Sequence, residues 1–309
     1  MRGVRLEDIL QHVRAARPLP LLLAVILATL TFPLRLIRWR LFLRRETGLP
    51  YPAGPLWHSV ALGFMANNLL PLRAGELVRA YAASRLAGVR FTTALSSIAV
   101  ERIFDGVTIV ALLTVAMLLP DLPGSITVGG VSVAHLTRIA GLMGGAALLV
   151  AILVLLMPLS AERWVRRLLP WPGVAKRVVS LIEGVRQGLI VLRSPTRVIQ
   201  VLFWSLGLWL VNALAFFVGF AAFDIPVSYI GALLMQGLIV LGISIPSTPG
   251  FFGPFEAVIV AALALYAVPR DVAFSYAISF HITSLIPITL LGLWSLARTP
   301  GGFKALREP

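Results

Sequence analysis

The chain contains no cysteine, which removes disulfides and thiolate metal sites from consideration. Its four histidines, at positions 12, 58, 135 and 281, are too scattered to suggest a metal cluster. Acidic residues are scarce: 13 Asp and Glu stand against 27 Lys and Arg, for a formal net charge of +14. Charged residues of both signs make up only 13% of the chain, so almost nothing is left over for a soluble catalytic domain. No HExxH, GxSxG, Walker loop or Asp-rich magnesium site occurs, and nothing in the spacing demands catalysis. The expectation is a protein that is not an enzyme and uses no cofactor or metal.

What is present is apolar. Hydrophobic residues make up 58% of 309 positions, the mean hydropathy is +0.91, and runs of membrane-spanning length recur. These features predict an all-α, polytopic integral membrane protein with one transmembrane domain over residues 1–309. The basic excess reads as positive-inside bias, because the arginines flank apolar segments and no basic stripe with interleaved aromatics lies on a soluble fold. Nucleic acid is therefore not expected as a partner, whereas anionic lipid headgroups are. A homo-oligomer is compatible with the sequence.

In chain order, residues 4–16 read as an interfacial amphipathic helix, and Glu7 and Asp8 rule out a cleavable signal. A first span begins at 19 and runs into a cluster of Arg35, Arg38, Arg40, Arg44 and Arg45. That cluster reads as a cytoplasmic anchor, with phosphate binding by Arg38 as the alternative. Segments 55–70 and 74–88 are each short for a span and are split by Pro71 and Gly75, which predicts a re-entrant hairpin. A full span at 93–119 follows, then a short loop at 120–132 without Lys or Arg. Residues 133–197 read as a linking span (133–158) and a basic amphipathic connection. A span at 198–222, a second broken pair at 229–245 and 254–268, and a last span at 272–297 complete the chain. With the C-terminus placed in the cytoplasm of a cell (inner) membrane, the cytoplasmic segments carry 18 of the 27 Lys and Arg. The exception is the N-terminus, whose arginines fall outside in this layout.

Two blocks, about 19–119 and 198–297, share one plan of span, broken hairpin and span. The odd span between them gives the second block the opposite orientation, an inverted repeat of the kind found in alternating-access transporters. Each tip offers half-helix N–H groups suited to an anion. At the first tip and the span that follows stand Asn67, Asn68, Arg73, Glu76, Arg79, Glu101, Arg102 and Asp105. At the second stand Ser247, Thr248, Gly250 and Glu256. Arginine suits phosphate through its planar fork, and ionisable groups at membrane depth usually line a wet cavity or bundle interior. Against this, Glu76 and Glu256 sit where carboxylates cap helix N-termini, and Glu101 and Asp105 are placed to neutralise Arg79 or Arg102 as buried pairs. His281 reads as a satisfied polar group.

The stretches GFMANNLLPLRAGELVRAY, AVERIFDGV and PSTPGFFGPFE resemble the lysylphosphatidylglycerol synthase transmembrane-region family of flippase-like proteins. The resemblance extends from about residue 5 and falls on Asn68, Pro71, Arg73, Gly75, Glu76 and Arg79. It continues on Glu101, Arg102 and Asp105, then on Pro246, Thr248, Pro249, Gly250, Gly253 and Glu256. It implies movement of phospholipid between leaflets, with these residues around the headgroup. Two competing expectations are a membrane enzyme on phospholipid or polyprenyl-phosphate substrates and an accessory subunit of such an enzyme. The sequence departs from the family where Phe251 replaces the usual second glycine of the tip. The soluble aminoacyl-transfer domain of the bifunctional synthases has no counterpart here, which argues against lipid synthesis.

Overall fold

The computed structural model describes residues 6–43, 49–119, 127–128, 131–132, 194–243 and 248–299, with isolated positions between 142 and 179. The linking span and amphipathic connection expected at 133–197 therefore lie almost wholly outside the described residues, as do Arg44, Arg45, Pro246 and Ser247. Apart from a two-residue ladder pairing Thr127 with Ser132 and Val128 with Val131, the described structure is helical. That ladder replaces part of what the sequence suggests as plain loop.

A short α1 (Leu6–Ala15) precedes α2 (Pro18–Phe42), whose 25 residues span about 38 Å at 1.5 Å each. One stripe of α2, Leu19, Leu22, Leu23, Ile26 and Leu30, is exposed, while Phe32, Arg35, Arg38 and Trp39 are buried. Leucines outward and arginines inward is the polarity of a helix facing lipid. Next come α3 (Ala53–Leu69), α4 (Gly75–Ala87) and α5 (Phe91–Leu118), then α6 (Pro195–Phe220), which continues as a 3₁₀ turn, Ala221–Phe223. The chain ends with α7 (Tyr229–Gly242), α8 (Pro254–Ala264) and α9 (Arg270–Arg298). Among the described helices, α2, α6 and α9 are long and apolar enough to cross a membrane. At 28 residues α5 matches them in length but carries Glu101, Arg102 and Asp105.

The paired short helices form where the sequence places them. In the first pair, α3 and α4 cross so closely that a Cβ on Gly75 would lie 1.9 Å from the Gly63 carbonyl oxygen. Only glycine permits that approach. The turn is closed by Asn67, whose Oδ1 accepts from the Gly75 N–H at 2.9 Å. Within it, Leu72 and Arg73 have φ of 59° and 54°, a left-handed conformation that costs side-chain-bearing residues roughly 1 kcal/mol or more each.

The helices bury two main apolar clusters. One lies among α2, α3, α4 and α5; the other joins α5, α6, α7, α8 and α9 around Phe216, Phe220, Tyr276 and Phe280. The Tyr276 hydroxyl donates to the Phe216 carbonyl at 3.1 Å, which satisfies it where no water is at hand. At one end of the bundle, His12 of α1 lies against Asp271 (2.9 Å), and Arg17, just before α2, pairs with Asp224 (2.6 Å). The N-terminal helix thus lies with segments 223–228 and 269–271, the end that charge counting assigns to the outside.

Candidate functional site

Glu101 and Asp105 lie four residues apart on α5 and so share a face. That face meets Arg38 from α2, whose guanidinium donates to Asp105 Oδ1 at 2.5 Å and Glu101 Oε1 at 3.0 Å. Arg38 also donates to Ser205 Oγ at 3.0 Å, and Trp209 Nε1 donates to Asp105 Oδ1 at 2.9 Å; both partners come from α6. From α4, Arg79 donates to Glu101 Oε2 at 2.9 Å and stacks over the Trp39 ring at 3.9 Å. Arg102 lies 3.0 Å from Glu101 Oε1 and 3.2 Å from Asp105 Oδ2, with Glu76 Oε1 a looser 3.8 Å from its Nε. Arg38 and Glu101 are fully buried, whereas the Arg102 side chain is 36% exposed and forms the accessible edge of the cluster.

A further arginine completes the site. Arg35, one turn before Arg38, is 8% exposed and lies near the rings of Phe64 (5.1 Å) and Trp209 (5.6 Å), with no hydrogen-bond partner for Nη1. Among the described residues, four arginines therefore surround two buried carboxylates. Including the next pair outward, Arg73 and Glu76, leaves the surplus unchanged. An uncompensated charge in a low-dielectric interior costs several kcal/mol, so the surplus is a standing attraction for an anion.

The two tips touch. Arg73 Nη2 donates to the Ile243 carbonyl at 2.8 Å, and its guanidinium lies 5.6 Å from the Phe251 ring centroid. Asn68 Nδ2 donates to Thr289 Oγ1 on α9 at 3.1 Å. In the second tip, Gly250 and Phe251 both have positive φ, 62° and 63°, and the Thr248 hydroxyl donates to the Phe252 carbonyl at 2.5 Å. Glu256 Oε2 accepts from the Gly253 N–H at 2.7 Å and so caps α8, while Oε1 lies 2.5 Å from His281 Nδ1. Among the described residues, no group of three His, Asp or Glu side chains is placed to hold a metal.

Glu76, Arg79, Glu101, Arg102 and Asp105 thus come together in one charged cluster, while Asn67, Asn68 and Arg73 hold the first tip. Thr248, Gly250 and Glu256 build the second tip, with Ser247 outside the described residues. The anchor reading of Arg35 and Arg38 is corrected: both are buried within the bundle, and Arg38 binds carboxylates of α5. Sequence reasoning also left out Ser205 and Trp209. Counting about 20 residues from Pro18 places Arg35 inside the span, and that length criterion would have exposed the error.

Comparison with known proteins accords with this architecture. Residues 1–292 match the family described as the lysylphosphatidylglycerol synthase TM region. A UPF0104 membrane protein of Methanothermobacter thermautotrophicus is 25% identical over 302 residues, covering 93% of this chain and 85% of that protein. A second UPF0104 membrane protein from the same organism is 26% identical over 249 residues, covering 75% and 70% respectively. The glycosyltransferase AglD of Haloferax volcanii is 30% identical over 140 residues, 45% of this chain and 22% of AglD. No solved structure matches. With membrane-length apolar helices folded around buried charge and a family match over nearly its whole length, the chain is a membrane protein and belongs to the lysylphosphatidylglycerol synthase TM-region family.

Proposed function

We propose that the protein is a lipid flippase or transporter, moving an anionic or modified phospholipid headgroup between leaflets rather than catalysing a reaction. The observation that carries this is the arginine surplus around Glu101 and Asp105, beside two hairpin tips that touch through Arg73. Arg73 and Arg102 are the arginines a headgroup phosphate reaches first, since Arg38 and Arg79 are buried whereas Arg73 is half-buried and the Arg102 side chain is partly exposed. With no nucleotide motif in the sequence, transport is passive or ion-coupled.

The proposed path follows from an inverted repeat with re-entrant hairpins, the protein lying multi-pass in the cell membrane with its C-terminus in the cytoplasm. Its support is reciprocal packing between the two blocks. Gly292 of α9 sits against Met65 of α3, and Gly237 of α7 sits against Leu113 of α5. In both cases the last helix of one block packs on the first hairpin helix of the other. The spans α2 and α6 also pack together, as the corresponding members of the two blocks.

Liposomes carrying the purified full chain and fluorescent phospholipids test this reading. Leaflet exchange that Arg73→Ala and Arg102→Gln both suppress supports it; exchange equal in wild type and variants, or none for any lipid, sinks it. AglD supports a second reading, an enzyme or accessory subunit working on lipid-linked intermediates. Product formed from labelled lipid in detergent, where no second compartment exists, would favour that alternative.

A further inference from the structure

Beside the second tip lies a cavity of about 670 Å³ between α8 and the first half of α9. Its α8 wall is mostly of small residues, Ala257, Ala261 and Ala264 beside Val260, with Phe274 and Ile278 of α9 and Ile9 of α1 also in the lining. Arg270 stands at one end and Glu256 towards the other. A second cavity, of about 290 Å³, continues along the same face of α9 past Ile282, Ile286 and Leu290. Phe252 lines both, so its ring forms a wall between them. That ring stacks on His281 at 4.5 Å, and His281 is bonded to Glu256.

The lining positions of α9 recur every four residues from Arg270 to Leu290, about 30 Å of helix, comparable to the hydrocarbon thickness of a bilayer. The far end reaches Thr289, the residue to which Asn68 of the first tip is bonded. The groove therefore leads to the tip that holds Arg73. Apart from Arg270, Glu256 and Thr289 the lining of both chambers is apolar, so the groove suits a slender hydrocarbon chain, which needs no hydrogen bonds from its walls.

We propose that this two-chambered groove holds a hydrocarbon chain of a lipid whose anionic headgroup sits at the tips, with Phe252 as the divider the chain displaces in passing. The proposal rests on the lipid-moving reading of the charged cluster and adds where the apolar part travels. The charged cluster binds the headgroup phosphate, while the groove selects for a long, slender chain.

The test uses the full chain in liposomes containing a phosphatidylglycerol with a photoactivatable group in one acyl chain. Labelled peptides are mapped by mass spectrometry, and leaflet exchange is followed in parallel. We expect label concentrated on the α8 and α9 faces of the chambers. Ala261→Trp, which fills the first chamber, should lower both label and exchange several-fold, while Phe252→Ala, which merges the chambers, should raise exchange several-fold. Should Ala261→Trp fail to fold, Ala257→Leu and Phe252→Ala carry the test. Exchange that persists with label spread evenly over all lipid-facing helices overturns the groove but leaves the flippase reading intact. Label in the groove without exchange supports the chain site and removes transport. Absence of label, with crosslinks joining two copies through α8 and α9, assigns the face to a second protomer and also overturns the proposal.

Discussion

Arg73 of the first tip donates to the main-chain carbonyl of Ile243, 2.8 Å away, where the helix of the second hairpin gives out. A carbonyl at a helix C-terminus lacks an intrahelical donor, so a cation from the opposing tip satisfies it. One side chain thereby couples two hairpins that are 170 residues apart in sequence. The same guanidinium lies close to Phe251.

Removing that link should uncouple the tips. Arg73→Ala is expected to abolish leaflet exchange while lowering stability by only about 1 kcal/mol, as suits a partly exposed hydrogen bond. Arg73→Lys keeps the charge but loses the planar fork, and should retain a minor part of the exchange. Exchange assays and thermal unfolding of the same preparations separate the two effects.

The Arg38 pairing behaves differently because it is buried. Arg38→Met deprives Glu101 and Asp105 of a shared partner and should cost about 3–5 kcal/mol. Adding Asp105→Asn removes part of the stranded charge, so the double variant should be more stable than the sum of the single losses predicts. Simple additivity of the melting shifts would show that the two side chains do not interact energetically.

At the hairpin crossing, Gly75→Ala drives a methyl into the Gly63 carbonyl and must push α3 from α4. Overpacking of this kind costs about 1–3 kcal/mol, and here backbone rather than a yielding side chain opposes it. Gly106→Ala on α5 is the control, since nothing lies within 4 Å of its added Cβ. That variant should be neutral or stabilising by about 0.5–1 kcal/mol through helix propensity. Equal melting temperatures for the two variants would contradict the crossing described above.

Phe251 occupies a left-handed position where glycine would be unstrained. Phe251→Gly relieves roughly 1 kcal/mol of backbone strain and gives up a cation–π contact of about 0.5–1 kcal/mol. The two nearly cancel, so stability should hardly move, while Arg73 loses its aromatic neighbour. An altered exchange rate at unchanged melting temperature is the expected signature.

Much of this was legible in the order of residues. Proline and glycine at positions 71 and 75, and again at 249, 250 and 253, mark the breaks that the structure displays as hairpin turns. The i, i+4 spacing of Glu101 and Asp105 correctly placed both on one helix face. The partners of that face were harder to read, because Arg38 lies far along the chain and sits in a run that looks like an interfacial anchor. Local sequence reports charge density but not which side of a helix meets its neighbours. Trp209 and Ser205 were hidden for a related reason: within an apolar span, a tryptophan or serine serving a carboxylate looks like any other. The pairing of Glu256 with His281 was half visible, since the capping position of Glu256 could be read locally but its second oxygen's partner could not.

The contact between the Gly63 carbonyl and Gly75 has a mechanical consequence. Two helices locked backbone to backbone, with Asn67 tying their turn, have no room to scissor against one another. Any rocking of this hairpin must carry α3 and α4 together as a single lever. Spin labels on α3 and α4 should therefore keep a fixed separation through the proposed transport cycle, while distances from either helix to α6 change.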